Sequence, residues 1–318
     1  MKIWDVEGMY PSMPKELVRL AMRDILMEVV ANAPNAAPKE GRTLRSHSIC
    51  FSVPKYNRDE KVSWGPAYTE DRVTLTVEDL LLGIEFSLEN CFMLLPDGLA
   101  LQTHGIPMGD PLSPPIAIAT CAWLERRWKR MLPKHLHKTF TFVRYLDDIL
   151  WASMWDNDDL PSVREALDAI HAFEHHCYPR QLKLDEQKVA TYLETHVTAR
   201  HGDIRFRHWN KNYETLLREG KQRVYKHQHP NSYTPSDRML GTLIGEFTRI
   251  VVNSDDGREG DEPSSLLKSL WEKVWELAWL PCPKGRIVKA LRHVQHKFPN
   301  ICEIDQAINL APHAYYCH

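Results

Sequence analysis

FTFVRYLDDILWAS, residues 140–153, is the stretch whose reading decides the fold. Two apolar half-strands, Phe142–Leu146 and Ile149–Ala152, flank the acid pair Asp147-Asp148. Inside one continuous strand, adjacent acids would point to opposite faces. At a hairpin turn, both can approach one site. The stretch therefore reads as strand, tight turn and second strand. Asp-Asp is also a common turn pair, so by itself the pair leaves a plain polar turn open.

Upstream lies GIPMGDPLSP (105–114), a glycine-proline loop. Glycine lets backbone come close to a neighbouring group. Ser113 reads as the cap of the next helix and Pro114 as its opening residue, with the helix running to about Leu132. Before the loop, FMLLPDGLALQTH (92–104) reads as a hairpin turning at Asp97-Gly98. Residues 76–90 read as a helix with Thr76 as N-cap and Asp79 three residues on. Residues 32–72, with several prolines and many charges, read as a long irregular insertion containing one hairpin. Residues 14–30 read as a helix, with Leu17, Leu20, Ala21 and Met27 near helical spacing. Residues 3–6 (IWDV) end a short strand, which puts Asp5 at a strand's C-terminal end, a usual place for a catalytic carboxylate.

Downstream, the spacing predicts a helix over 161–176, strands at 188–198 and 203–209, and a mainly helical remainder from about 224. An acidic loop interrupts that remainder at 253–263. Trp271, Trp275 and Trp279 recur every four residues and read as a helix stripe against a core rather than a base-stacking platform.

Composition bounds the function classes. The chain has 318 residues, 43% hydrophobic and 26% charged, an ordinary globular balance with no apolar run long enough to span a membrane. The N-terminus lacks a signal peptide's apolar stretch, so the expectation is an intracellular protein, nuclear or cytoplasmic. Seven cysteines without a C-x-x-C pair argue for reduced thiols rather than a disulfide framework or zinc site. The sixteen histidines read as forming no metal pattern. Net charge is −2, against the usual basic balance of a nucleic-acid binder, but the charge is uneven. Arg126 to Arg144 holds seven Lys/Arg and no acid. The stretches 200–226 and 284–297 are also basic. Local patches, rather than net charge, hold phosphates, and each patch alone reads equally as a solvated face.

Phosphoryl transfer to a 3′-hydroxyl uses two divalent ions about 4 Å apart, and magnesium requires clustered oxygen ligands on rigid elements. Asp5, Asp147 and Asp148 are the candidate carboxylates. Tyr10, five residues after Asp5, is a candidate aromatic wall against a 2′-hydroxyl or, equally, a packed core tyrosine.

Three elements thus appear in one order: DVEGMY (5–10), GIPMGDPLSP (105–114) and YLDD (145–148). This order resembles motifs A, B and C of reverse transcriptases. DVEGMYPSMP and MGDPLSP are similar to the Penelope-like retroelement branch. QLKLDEQKVATYLETHVTARHGDIRF (181–206) and KHQHPNSYTPSDRMLGTLIGEFTRI (226–250) extend the likeness more loosely, over about residues 3–250.

The resemblance implies an α+β fold. Residues 1–223 would be a polymerase palm, an antiparallel sheet backed by helices with the insertion at 32–72. Residues 224–318 would be a mostly helical thumb. It implies template-directed DNA synthesis by an RNA-directed DNA polymerase with two Mg2+ (or Mn2+) ions, acting on dNTP and an RNA or DNA template with primer. Asp5, Asp147 and Asp148 would bind metal, with the backbone carbonyl of Val6. Tyr10, Met108, Gly109, Ser113, Pro114 and Lys188 would shape the nucleotide pocket, Met108 standing where many reverse transcriptases have glutamine. Arg126, Arg127, Arg286 and Lys289 would contact nucleic acid. The family's fingers would lie upstream of Asp5, so the resemblance expects them from preceding sequence or another chain. Its alternative is a fingers-less, catalytically inactive nucleic-acid-binding remnant.

Overall fold

In the computed structural model, the described residues are 1–32, 50–56, 61–153, 160–187, 191–200, 203–220, 235–254 and 264–316. The fold is α+β, with antiparallel strand pairs. Two compact units divide it: Trp4–Glu186, and Gln187–His318 together with Met1–Ile3.

The first unit begins with strand β1 (Lys2–Val6), the single turn α1 (Met9–Ser12) and helix α2 (Lys15–Ala31). Strands β2 (Cys50–Pro54), β3 (Ser63–Trp64) and β4 (Arg72–Thr76) form a sheet in the order β3-β2-β4. The region expected to be irregular with one hairpin therefore contributes a three-stranded sheet over its second half. The Arg72 guanidinium helps hold it, donating to the Ser52 and Lys61 carbonyls at 2.7 and 2.9 Å. Helix α3 (Val77–Glu89) starts as its sequence dictates. Thr76 caps Asp79 N–H, and the Asp79 carboxylate accepts from Thr76 N–H. Strands β5 (Phe92–Leu95) and β6 (Gly98–Leu101) pair Leu95 with Gly98, so the turn is Pro96-Asp97, one residue before the expected Asp97-Gly98.

Helix α4 (Ser113–Met131), strands β7 (Phe140–Tyr145) and β8 (Asp148–Ser153), helix α5 (Leu160–His176) and strand β9 (Leu184–Glu186) complete the unit. The central sheet runs β7-β8-β1-β9. One sheet face is aromatic and buried. Phe140 and Trp151 stack at 4.2 Å, Trp4 packs on Phe173 of α5 at 5.4 Å, and Trp128 of α4 meets Phe173 edge-on at 5.1 Å. Such pairs add about 0.5–1.5 kcal/mol each beyond their buried area. The opposite face, by alternation, carries Thr141, Val143 and Tyr145 of β7 and Asp148 and Leu150 of β8.

The second unit holds strands β10 (Thr191–Tyr192), β11 (Thr195–Arg200) and β12 (Asp203–His208), then helices α6 (Tyr213–Glu219), α7 (Ser236–Val252), α8 (Ser265–Trp279), α9 (Lys284–Lys297) and α10 (Cys302–Leu310). This unit begins at Gln187. Within it, α8 anchors the segment that follows β12. The Glu276 carboxylate is fully buried and accepts from Asn210 Nδ2 at 2.9 Å and Asn212 Nδ2 at 2.6 Å, while Lys273 Nζ pairs with it at 2.8 Å. The core stripe of α8 is Leu266, Leu270, Val274, Leu277 and Ala278. Trp271 and Trp275 are half-buried beside that core, so the tryptophans do border a core, though they are not its centre. Among the described residues no helix is long and apolar enough to cross a membrane. The described cysteines are free thiols, most of them buried.

Candidate active site

Alternation along β1 sets the first carboxylate. Trp4 and Val6 are buried, and Asp5 between them is half-buried, so it faces away from the aromatic core. Val6 N–H donates to the Asp147 carbonyl at 2.9 Å, which brings Asp5 within one residue of the β7–β8 turn. Val6 presents its N–H on the β8 side. A strand residue's carbonyl lies on the same side as its N–H, so the Val6 carbonyl is directed toward that turn. On its other edge, Asp5 is opposite Asp185 of β9.

The turn itself is tight. Tyr145 pairs with Asp148, leaving Leu146 and Asp147 as its two central residues. Leu146 has φ +54°, a left-handed conformation that favours glycine. A residue held there costs on the order of 1–3 kcal/mol unless its surroundings fix it. The fixing group is Arg144. Its guanidinium donates to the Leu146 carbonyl at 3.2 Å, to the Ile118 carbonyl of α4 at 3.0 Å and to Glu125 Oε1 at 2.5 Å. Tyr178 O–H donates to the same Glu125 oxygen at 2.5 Å. The Arg144 and Glu125 side chains are only 7% and 12% exposed. Burial works to lower the Arg144 pKa, and Glu125 more than offsets it, so the guanidinium stays firmly charged. Burial, then Glu125, pushes the Tyr178 phenol well up.

Tyr10 stands in α1, which begins after Gly8 at φ +54°. Its pKa is raised, first by burial and then by Asp147, so its hydroxyl lies within the field of that carboxylate. The 105–114 loop is laid directly over α1. Ile106 N–H donates to the Tyr10 carbonyl at 2.9 Å. Gly105, at φ +71°, leaves no room: a Cβ there would lie 2.5 Å from Pro11 Cα and 2.6 Å from the Tyr10 carbonyl oxygen. Asp110 shapes the rest of the loop. Its Oδ1 accepts Leu112 N–H at 2.9 Å, its carbonyl accepts Ser113 N–H at 3.1 Å, and its Oδ2 accepts the Ser87 hydroxyl of α3.

Other expected site residues divide. Met108 and Gly109 sit exposed at the loop's tip, and Gly109 has φ +101° with open space around it. Ser113 is not the N-cap of α4. Leu112 holds that position with no side-chain cap, and Ser113 is the helix's first residue, followed by the exposed Pro114. Asp110 takes the Leu112 and Ser113 N–H groups, and the Ile116 N–H that a Ser113 cap would need donates to the Leu112 carbonyl at 3.0 Å, so the helix starts one residue earlier. The Ser113 hydroxyl is buried without a hydrogen-bond partner. Lys188 lies outside the described residues. Arg126 is ion-paired with Glu28 of α2 at 2.8 Å, and Arg127 lies 4.5 Å over the Trp123 ring. Arg286 donates to Met239 Sδ at 3.6 Å. Lys289 lines an open groove of about 440 Å³ with Arg292, His293 and His296.

The donor chemistry at the β1–turn junction is all oxygen: three half-buried carboxylates, Asp5, Asp147 and Asp148, and the Val6 carbonyl. That set fits a hard ion such as Mg2+ or Mn2+. Among the described residues, the one trio of ligand atoms all within 4.8 Å of one another is His171, Glu174 and His175. Sequence reasoning missed Asp110, Arg144, Glu125 and Tyr178. The signal for Arg144 was a lone charge in the otherwise uncharged FTFVRYL. The signal for Asp110 was an acid three residues before a helix start, an Asx-turn pattern closed by the Leu112 N–H.

No family model and no curated protein matches the chain. Among solved structures it is similar to telomerase from Candida albicans in complex with a TWJ fragment of telomeric RNA, at 12% identity and a TM-score of 0.49. It is also similar to apo telomerase from Candida tropicalis, at 9% identity and a TM-score of 0.44. Each match covers 99% of this chain and 46% of the other, so this chain spans under half their length.

Proposed function

We propose that this chain carries the palm and thumb of a reverse-transcriptase-type polymerase, related to the Penelope-like branch, and that it extends a primer with deoxynucleotides. The observation that carries the reading is the Val6 N–H to Asp147 carbonyl bond at 2.9 Å, which sets the Asp5 strand end beside the Asp147-Asp148 turn. Two distant sequence elements thereby meet at one end of one sheet, and in this reading their three carboxylates share it.

In this reading Asp5, Asp147, Asp148 and the Val6 carbonyl hold a pair of magnesium ions. When bound, such ions lower the pKa of an attacking 3′-hydroxyl and neutralise the charge on the leaving pyrophosphate. The chain's own residues do the positioning. Arg144 holds the turn that aims Asp147 and Asp148. The Tyr10 ring flanks the sugar of the incoming nucleotide, and its raised pKa keeps the phenol neutral beside Asp147. The 105–114 loop, fixed to α1 by Ile106 and to α3 by Asp110, forms the wall against which the templating pair lies.

Primer extension on RNA and DNA templates with Mg2+ tests this. Asp5→Asn and Asp147→Asn should each reduce extension at least about a hundredfold, the scale of losing one preorganised electrostatic group, while template binding persists. Equal template binding by wild type and Asp147→Asn, with extension by neither, would instead support the inactive-remnant reading.

A further inference from the structure

Helix α5 turns its apolar side to the core through Ala166, Ala169, Ile170 and Phe173. Beside that face lie His171, Glu174 and His175, spaced H-x-x-E-H, so that Glu174 and His175 both stand about one helical turn from His171. One ligand atom from each lies within 4.8 Å of the other two. His171 Nδ1 is 3.8 Å from Glu174 Oε2, and the two imidazole rings are 4.8 Å apart.

Glu174 is already oriented. The Trp4 indole N–H, from β1, donates to its Oε1 at 3.2 Å, which turns Oε2 toward His171. A carboxylate held by an outside donor is what sets a metal ligand's direction. Glu174 and His175 also line an open cleft of about 620 Å³, and His171 is exposed, so water can reach the trio.

We propose that His171, Glu174 and His175 form a second metal site, separate from the aspartates, that takes Zn2+ or a similar borderline ion. The donor set decides the ion. Two imidazole nitrogens and one carboxylate oxygen favour zinc-like ions over magnesium, whereas the aspartates offer oxygen alone. Zinc ligands at roughly 2.0–2.1 Å from the ion stand about 3.3 Å apart in a tetrahedron, so side-chain rotation on one helix closes the remaining gap. A water completes the fourth position. Because Trp4 holds Glu174, a bound ion would join α5 to β1, the strand that carries Asp5. The site stands on its own geometry and does not depend on the polymerase reading.

Co2+ titration of the full chain, stripped of metal and kept in excess Mg2+, tests the proposal. The expected result is a saturable visible d–d band of tetrahedral Co2+, displaced by Zn2+, with a stoichiometry of one. His171→Gln with His175→Gln should abolish the band or weaken binding at least about tenfold, as loss of direct ligands must exceed the 10–100-fold cost of losing their supports. His171 is 72% exposed at its side chain, so the substitution leaves the fold intact, which circular dichroism checks. Asp147→Asn should leave the band unchanged. Absence of a band in the wild type, a band that survives the double histidine change, or a band lost only in Asp147→Asn would each overturn the proposal.

Discussion

At the scale of single residues, Tyr10 makes the sharpest demand. Its ring is half-buried, its backbone is held by Ile106, and its hydroxyl lies in the field of Asp147. If it walls off a 2′-hydroxyl, ring volume matters and the phenol oxygen matters little. Tyr10→Phe should keep the preference for deoxynucleotides. Tyr10→Ala should raise ribonucleotide use about 10- to 100-fold relative to deoxynucleotide, the discrimination one well-placed contact supplies. Competing incorporation of the two sugars on one primer measures this. Equal use of both by the wild type would remove the gate. The hairpin that carries the acid pair was legible from sequence because two apolar half-strands flank Asp147-Asp148. The place of Ser113 was not, because the helix begins one residue earlier, with the Leu112 carbonyl accepting the Ile116 N–H that a Ser113 cap would need, and that is visible only when the backbone is placed. The H-x-x-E-H face of α5 was passed over for a related reason: the pattern sought was H-E-x-x-H, while any helical spacing of three and four gathers ligands equally well.

At the scale of elements, the loop over α1 and the β7–β8 turn are the two places where backbone itself is constrained. Gly105 has a positive φ and touches Pro11 and Tyr10 backbone, which cannot move aside as a flexible side chain would. Gly105→Ala should therefore destabilise by about 1–3 kcal/mol and displace Tyr10, seen together as a lower urea midpoint and lost extension. Gly109→Ala meets no neighbouring atom, though it shares the strain of positive φ. It should leave Tyr10 in place. The turn depends instead on a side chain. Arg144 spans two carbonyls and Glu125, and removing one partner of so buried a pair costs about 3–5 kcal/mol. Arg144→Ala should lower stability by that order, whereas Arg144→Lys, keeping charge without the planar fork, should recover part of the stability and less of the extension rate. Equal activity of wild type and Arg144→Lys would mean the turn holds itself. Element existence was largely readable, since capping at Thr76 and the apolar flanks of the acid pair are local signals. Helix faces were less so. In α2 the buried stripe is Val18, Ala21 and Met22, while Leu20 and Met27, equally apolar, are about half exposed. Periodicity finds that a stripe exists, but the neighbouring element, here α4, decides where it lies. The sheet at β2–β4 was hidden by prolines and charges at its turns, which outweighed its short strands.

For the whole molecule, charge distribution carries the remaining argument. A net charge of −2 gives no general attraction to polyanions, so any grip on template must be local. The structure narrows the candidates. Arg126 and Arg130 share Glu28, and Arg207 is paired with Glu272, so those guanidinium groups face acids within the chain. Helix α9 differs. Lys289 and Arg292 are exposed on one side of it, lining a groove with His293 and His296, while Ile287, Ala290, Leu291 and Val294 on the other side are buried. A helix anchored by its apolar face, with cations on the other, can offer them to phosphates without disturbing the core. Each phosphate contact releases about 0.7–0.9 of a counterion, depending on strandedness. Lys289→Glu with Arg292→Glu should therefore weaken template–primer binding at low salt and lower the slope of log K against log salt by about 1.4–1.8, with little change in folding stability. Arg126→Glu should weaken binding less, since it also breaks a pair with Glu28 rather than emptying a phosphate contact. Fluorescence anisotropy across a salt series separates the cases. An unchanged slope in the α9 variant would show that the cations of this helix serve solvation alone.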